Sequence, residues 1–242
     1  MNLTAVFLGI VIVVLIFILY KYMYPTNTVL QATATLNTGA IPPITSIINA
    51  NSQRYALSLW IYMNSWDNTT VKTIYSRMNS TTNPPITYYS LTLDRTAPIL
   101  YFNIGMNDGT TQNMVITNNF PIQKWVCVLI SVDNQFVDAY LDGKLVKSQR
   151  AYIPADLSPS NNAVMPATQP PATVPIQVGS AIPVDAYVSQ FTRWDTPIDP
   201  QTAWTIYLQG NGQSGIMGGF NNFGAELNIL KNNLAYSKIT LF

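Results

Sequence analysis

Apolar and polar positions divide the chain into one long apolar run, a series of short strand patterns and one short helical pattern. Leu3 to Tyr20, LTAVFLGIVIVVLIFILY, is 18 residues without a charge, and Thr4 is its only polar side chain before Tyr20. At about 1.5 Å per residue this makes about 27 Å of helix, close to the ~30 Å hydrocarbon thickness of a bilayer. Leu3, Phe7, Ile12, Leu15 and Phe17 are expected to face lipid, and Tyr20, Lys21, Tyr22 and Tyr24 to sit at the interface before Pro25 ends the helix. A cleaved signal peptide would need a basic start and small residues at its end. Here Met1-Asn2 precedes the run and Tyr-Lys-Tyr-Met-Tyr follows it, so a retained single-pass anchor is expected. Lys21 follows the helix with no basic residue before it, which by the positive-inside rule puts the large domain on the cytosolic face. The sequons at Asn68 and Asn79 argue for the other face.

Beyond the run, residues 25–52 are rich in Thr, Asn and Pro and read as a tether able to supply an edge strand. Tyr55 to Met63 alternates, with Tyr55, Leu57, Leu59, Ile61 and Met63 on one face. Strand patterns recur at 71–77, 88–94, 99–104 and 113–117, punctuated by Pro84-Pro85, Asn107-Asp108-Gly109 and Asn118-Asn119. Lys124 to Lys147, KWVCVLISVDNQFVDAYLDGKLVK, is a meander. Its first strand is apolar on both faces, and its second alternates Val137, Ala139 and Leu141 against Phe136, Asp138 and Tyr140. Asp142-Gly143 then supplies the positive φ that a type I′ hairpin turn requires. Residues 154–175 form a long Pro-rich insertion, read either as an extended arm toward a partner or as a plain loop. Ile176–Gly179 and Ala186–Trp194 resume the strands. Asp199-Pro200 opens a helix as cap and first residue, Gly210 stops it, and Trp204, Tyr207 and Leu208 are expected to pack on the sheet. After Gly210 the pattern weakens: 225–232 could form a helical turn and 235–242 a strand.

The sequence therefore divides into an anchor (1–24), a tether (25–52), an all-β domain that is a sandwich or a barrel (53–210) and a C-terminal tail (211–242). A Trp opening an apolar strand, then a strand ending Tyr140-Leu141-Asp142-Gly143-Lys144-Leu145-Val146, resembles laminin-G and pentraxin-type domains of the concanavalin A-like lectin/glucanase superfamily. The segment SQFTRWDTPIDPQTAWTIYLQG resembles the C-terminal signature of the same family. The resemblance implies an all-β, antiparallel two-sheet jelly-roll sandwich, with Trp125, Asp142, Gly143, Trp194, Asp199 and Trp204 as fold-defining positions.

Composition acts mainly by exclusion. The net charge is +1 and no basic stripe exists, so nucleic acid is not an expected partner. There is no His, one Cys (Cys127) and one Glu (Glu226). Without His, the usual base of a Ser or Cys triad and the usual zinc ligands are missing. The glucanases of the resembled family use paired carboxylates on one strand, and no strand here carries two Asp at alternate positions. Gly210-Asn211-Gly212-Gln213-Ser214-Gly215 fits G-x-G-x-x-G but follows a helix, so it reads as a turn. The chain is expected to be non-enzymatic and to need no cofactor. Calcium is the one metal the resemblance allows, with Asp94, Asn107 and Asp108 as ligands against a plain reading as solvated turn residues. Glycan contacts, if present, fall to Trp66 with Asp67, or to Tyr88 and Tyr89, against a plain reading as core aromatics.

Two functions follow. The first is a membrane-anchored structural jelly roll in a large assembly. Its Asn, Thr and Pro-rich character resembles virion proteins of large icosahedral DNA viruses, which implies a minor capsid protein linking an inner membrane to capsid proteins. The second is a membrane-anchored lectin.

Overall fold

The computed structural model describes residues 3–23, 27–38, 41–212, 226–231 and 234–240. Helix α1 (Leu3–Met23) is apolar on every side, and ten of its large apolar side chains, from Phe7 to Leu19, are 48% to 68% exposed. Its described side chains run unbroken only from Phe7 to Phe17, and among the described residues no helix is long and apolar enough to cross a membrane. The side chains of Leu3, Tyr20 and Lys21 lie outside the described residues.

Two antiparallel sheets face one another. The first holds, in spatial order, β1 (Asn27–Thr35), β11 (Ala186–Trp194), β2 (Arg54–Met63), β7 (Trp125–Asp133), β8 (Phe136–Leu141) and β9 (Lys144–Arg150). The second holds β10 (Ile176–Val178), β3 (Lys72–Asn79), β4 (Ile86–Leu93), β5 (Leu100–Gly105) and β6 (Thr111–Thr117). Of the sandwich or barrel expected from the alternating patterns, the sandwich is thus present.

Its core forms where inward phases meet. Tyr55, Leu57, Leu59, Ile61 and Met63 of β2 are each at most 1% exposed, and they meet Val126, Val128, Ile130 and Val132 of β7. Each such side chain contributes roughly 1.5–3 kcal/mol on burial. Strand β7 is covered on its second face too. Leu129 joins Ala56, Tyr140, Ile198, Ala203 and Ile206 in a smaller cluster beneath helix α2 (Pro200–Leu208). That explains a strand apolar on both phases.

The two reverse elements are built as the residues dictate. Asp142 (φ 47°) and Gly143 (φ 75°) form the β8–β9 turn, and the Asp142 carboxylate accepts from the Cys127 amide at 2.9 Å. Asp199 caps α2 by accepting from the Thr202 amide at 2.8 Å, and Gly210 (φ 76°) follows its end.

Residues 27–35 of the tether form the edge strand that its sequence allowed: β1 pairs antiparallel with β11, with a break in register between Val29 and Gln31. Three expectations are corrected. The Pro-rich segment is not an extended arm. It lies along the sandwich through an Ile153–Val164 bridge and an Ala167 amide donating to the Gly105 carbonyl at 2.9 Å. In α2 the buried pair is Ala203 and Ile206, while Leu208 is 65% exposed, because in so short a helix only one i, i+3 stripe meets the sheet. Residues 226–231 form a strand, β12 (Glu226–Lys231), which pairs with β13 (Leu234–Thr240) in a separate two-stranded sheet.

Candidate functional site

The aromatic residues expected to meet a glycan are not gathered into a platform. Tyr89 lies on the inward phase of β4 with Leu91 and Leu93 and is 1% exposed, so it is a core residue. Its ring contacts Tyr55, Tyr75 and Phe102, and burial pushes its hydroxyl up to about 12. Tyr88 and Trp66 are half-buried and packed against the core. The Asp67 carboxylate is held by its own turn, accepting from the Thr69 amide at 2.8 Å and the Thr69 hydroxyl at 2.5 Å.

What Trp66 does cover is a buried ammonium. Lys72 Nζ sits 4.3 Å from the centre of the Trp66 ring and donates to the carbonyls of Asp67 (2.6 Å), Thr70 (2.9 Å) and Arg95 (3.3 Å). The Asp67 carboxylate stands 3.8 Å away, and Lys72 itself is fully buried. Three oxygens and a carboxylate around one point are a hard-cation environment. Here the protein's own ammonium fills it.

The residues named for calcium are engaged separately. Asp94 accepts from the Thr96 amide (2.9 Å) and hydroxyl, Asp108 accepts from the Thr110 amide (3.0 Å) and hydroxyl, and the Asn107 side-chain oxygen accepts from the Met165 amide. The Thr96 amide and the Thr110 hydroxyl are the main causes holding these two carboxyls below the usual range. Among the described residues no group of three or more acidic, His or Cys side chains converges as a metal site.

The outer face of the five-stranded sheet carries an uncharged polar ladder. Gln177, Ser76, Ser90, Asn103 and Asn113 are direct cross-strand partners from β10 to β6. The Asn103 amide donates to the Ser90 and Thr92 hydroxyls at 3.0 Å each, so the middle of the ladder is pre-oriented. Two shallow depressions of about 470 Å³ each share Thr87 and Ser90 and follow this ladder. Hydroxyl and amide groups in a groove can exchange hydrogen bonds with a neutral polar ligand. Proton transfer would need an ionisable group, and among the described lining residues these are Asp94, at one end and committed to its turn, and the Tyr101 phenol.

The opposite outer face, on the six-stranded sheet, is divided. One part lies beneath α2, where Trp60 stacks on Tyr207 at 5.6 Å. The other is an aromatic cleft of about 590 Å³ that no single stretch of sequence announces. Direct cross-strand register brings Tyr187 of β11, Tyr62 of β2 and Trp125 of β7 side by side, with ring centres 6.4 Å and 5.5 Å apart. Trp125 was expected only as a fold marker, and Tyr62 and Tyr187 were not anticipated. The one signal was phase: each lies on the outward phase of a strand whose inward neighbours are core residues, such as Ile61 and Met63 beside Tyr62.

Inside the sandwich two arginines staple loops. Arg77 donates to the carbonyls of Ala50, Pro170, Pro171 and Val174, and Arg193 to those of Ile48 and Asn49. Arg77 is 1% and Arg193 4% exposed. They explain why residues 48–50 and 170–174 lie against the sheet.

Comparison with known proteins identifies the frame. The laminin G-type family model of the Concanavalin A-like lectin/glucanases superfamily matches residues 37–202. No curated protein matches the chain. Among solved structures, the receptor-binding domain of botulinum neurotoxin D is similar at 13% identity over 73% of this chain and 40% of that one, with a TM-score of 0.46. A structure of botulinum neurotoxin type C, whose cell entry depends on two ganglioside molecules, is similar at 17% identity over 66% and 36%, TM-score 0.45. The binding domain of botulinum neurotoxin DC in complex with rat synaptotagmin II is similar at 18% over 66% and 37%, TM-score 0.44. The chain thus spans between 36% and 40% of the length of these structures.

Proposed function

The chain belongs to the concanavalin A-like lectin/glucanase superfamily, and on that premise we propose that it is a non-enzymatic, membrane-anchored sandwich that makes binding contacts at the membrane surface. The observation that carries this reading is α1. Among its described side chains, ten large apolar ones stand exposed and none is buried against the sandwich. At about 1.5 kcal/mol each, leaving them in water would cost roughly 15 kcal/mol, comparable to the whole stability of a domain. An all-round apolar helix is covered either by protein or by lipid. The described part of the helix is too short to cross a bilayer by itself, so the reading takes the whole of α1, whose 21 residues at about 1.5 Å each make about 32 Å, close to a bilayer's hydrocarbon thickness.

The non-enzymatic part is supported by the ladder, whose groups are hydroxyls and amides. The chain's single glutamate, Glu226, lies in β12, outside both sheets. In its finer form the reading is that of a structural protein in a large assembly, a virion minor capsid protein tying an inner membrane to the capsid. Ile12→Arg tests the anchor: a charge at the middle of a spanning helix costs about 2.5–3.5 kcal/mol. The variant is expected to shift from the membrane pellet to the soluble fraction after alkaline carbonate extraction. Wild-type protein found in the soluble fraction would overturn the proposal. Cross-linking of intact particles tests the assembly role, which requires recovered partners from a protein shell.

A second reading, a membrane-anchored lectin, is favoured by the uncharged Gln177–Ser76–Ser90–Asn103–Asn113 ladder. A neutral glycan array probed with the full chain in nanodiscs tests it, and absence of binding counts against it.

A further inference from the structure

We propose that the cleft walled by Tyr62, Trp125 and Tyr187 is a binding site for one ring of a neutral glycan. This rests on the lectin reading of the sandwich, and it places the contact on the sheet opposite the polar ladder.

Three observations carry it. The first is the ring geometry. Tyr187, Tyr62 and Trp125 are consecutive cross-strand partners on one outer face, and Tyr187 remains 46% exposed. Their hydroxyls and the Trp125 indole N–H have no hydrogen-bond partner among the described residues. A sugar ring has an apolar C–H face that covers an aromatic ring and an equator of hydroxyls that pair with polar atoms. The described lining supplies both. Beside the three aromatic rings stand the hydroxyls of Thr33 and Thr35 on β1, and the volume of about 590 Å³ lies within the range of small-molecule sites.

The second observation is charge. None of the described lining residues is ionisable near neutral pH. The charges adjacent in sequence are engaged with other groups: Lys124 with Asp142 at 3.5 Å, and Asp185 with the Asn64 amide at 2.9 Å and the Ser65 hydroxyl at 2.5 Å. An anionic or cationic ligand would find no counter-charge there, whereas a neutral one needs none.

The third is position. Exposed Tyr and Trp also gather at membrane interfaces, which makes lipid the competing occupant. Strand β1 favours the glycan. The anchor side joins at Asn27, which pairs with Trp194, while the cleft lies at the other end, where Thr35 pairs with Tyr187. Six to eight residues at about 3.3 Å each separate Asn27 from Thr33 and Thr35, about 20–26 Å. The cleft thus lies at the end of β1 remote from its anchor-side end.

The test uses the full chain in nanodiscs and follows Trp fluorescence during titration with neutral hexaoses: gluco-, manno-, xylo- and N-acetylglucosamine-type. At least one is expected to bind and to change the emission. Tyr187→Ala is expected to weaken that binding at least tenfold, with no change in melting temperature beyond that of an exposed substitution. Asn103→Ala, on the ladder of the other sheet, is expected to leave it unchanged. Binding lost with Asn103→Ala but kept with Tyr187→Ala would overturn the cleft while leaving the lectin reading standing. Absence of binding by every hexaose would overturn both, and binding only of sialylated or sulfated glycans would overturn the neutral class.

Discussion

Replacing Lys72 by Met removes the ammonium while keeping most of the side chain's length and apolar body. Three carbonyls, of Asp67, Thr70 and Arg95, then lose the donor that held them at 2.6, 2.9 and 3.3 Å. A buried carbonyl left unpaired costs about 1–3 kcal/mol. The 67–70 loop is partly exposed, so water can reach its edge and the lower end applies, about 3 kcal/mol for the three. Loss of the ammonium over the Trp66 ring adds about 1 kcal/mol. The expected loss is about 4 kcal/mol, a drop of roughly 8–16 °C in a chain of this size. Urea unfolding followed by circular dichroism measures it. Lys124→Met is the control. That ammonium is 64% exposed and 3.5 Å from Asp142, so its removal should change stability by less than about 1 kcal/mol. If Lys72→Met costs no more than Lys124→Met, the ammonium does not hold the rim together. The same cage implies that chelating divalent cations leaves the wild-type melting temperature unchanged.

Other outcomes follow from single positions. At Gly143 an added Cβ would lie 2.8 Å from Trp204 Cε3 and 2.9 Å from Tyr207 Cβ at φ +75°, whereas at Gly109 (φ +83°) it would meet nothing within 4 Å. Gly143→Ala is therefore expected to cost about 3 kcal/mol in a denaturant melt and Gly109→Ala about 1 kcal/mol, and equal losses would refute the packing of α2 on the turn. Asp67, Asp94, Asp108 and Asp199 all titrate below the ordinary carboxylate range, chiefly through hydrogen bonds from Thr69, Thr96, Thr110 and Thr202 respectively. The unfolded chain binds protons first, so their contribution is present above about pH 4 and is lost as the pH falls through their lowered values. A melting temperature that stays constant down to about pH 2.5 would contradict this. Burial pushes the Cys127 thiol up to about 12, so iodoacetamide should leave it unmodified in native protein and alkylate it only after unfolding.

The fold was legible because inward phases are written locally. Tyr55 to Met63 and Trp125 to Val132 state their own burial, and Asp142-Gly143 and Asp199-Pro200 state their own geometry. Strand β1 was less legible: its Thr, Gln and Ala side chains are half-exposed, and only pairing with β11 makes it a strand. The surfaces were hardest to read. Trp66 and Tyr89 sit beside polar residues and suggest exposure, yet one covers a buried ammonium and the other lies in the core. Tyr89 was recoverable, since it shares its phase with Leu91 and Leu93. The Tyr62–Trp125–Tyr187 row was not, because register between strands more than 60 residues apart creates it. The same holds for Arg77, whose partners lie 27 to 97 residues away.

Protease protection on intact membranes or particles, with a tag after Phe242 and detergent as control, tests the central claim most directly. A chain held by α1 is expected to stay with the membrane and to present the whole sandwich on one side. The tag should be cleaved from that side alone, or only after a protein shell is removed. Release of the full-length chain from membranes without detergent would contradict it.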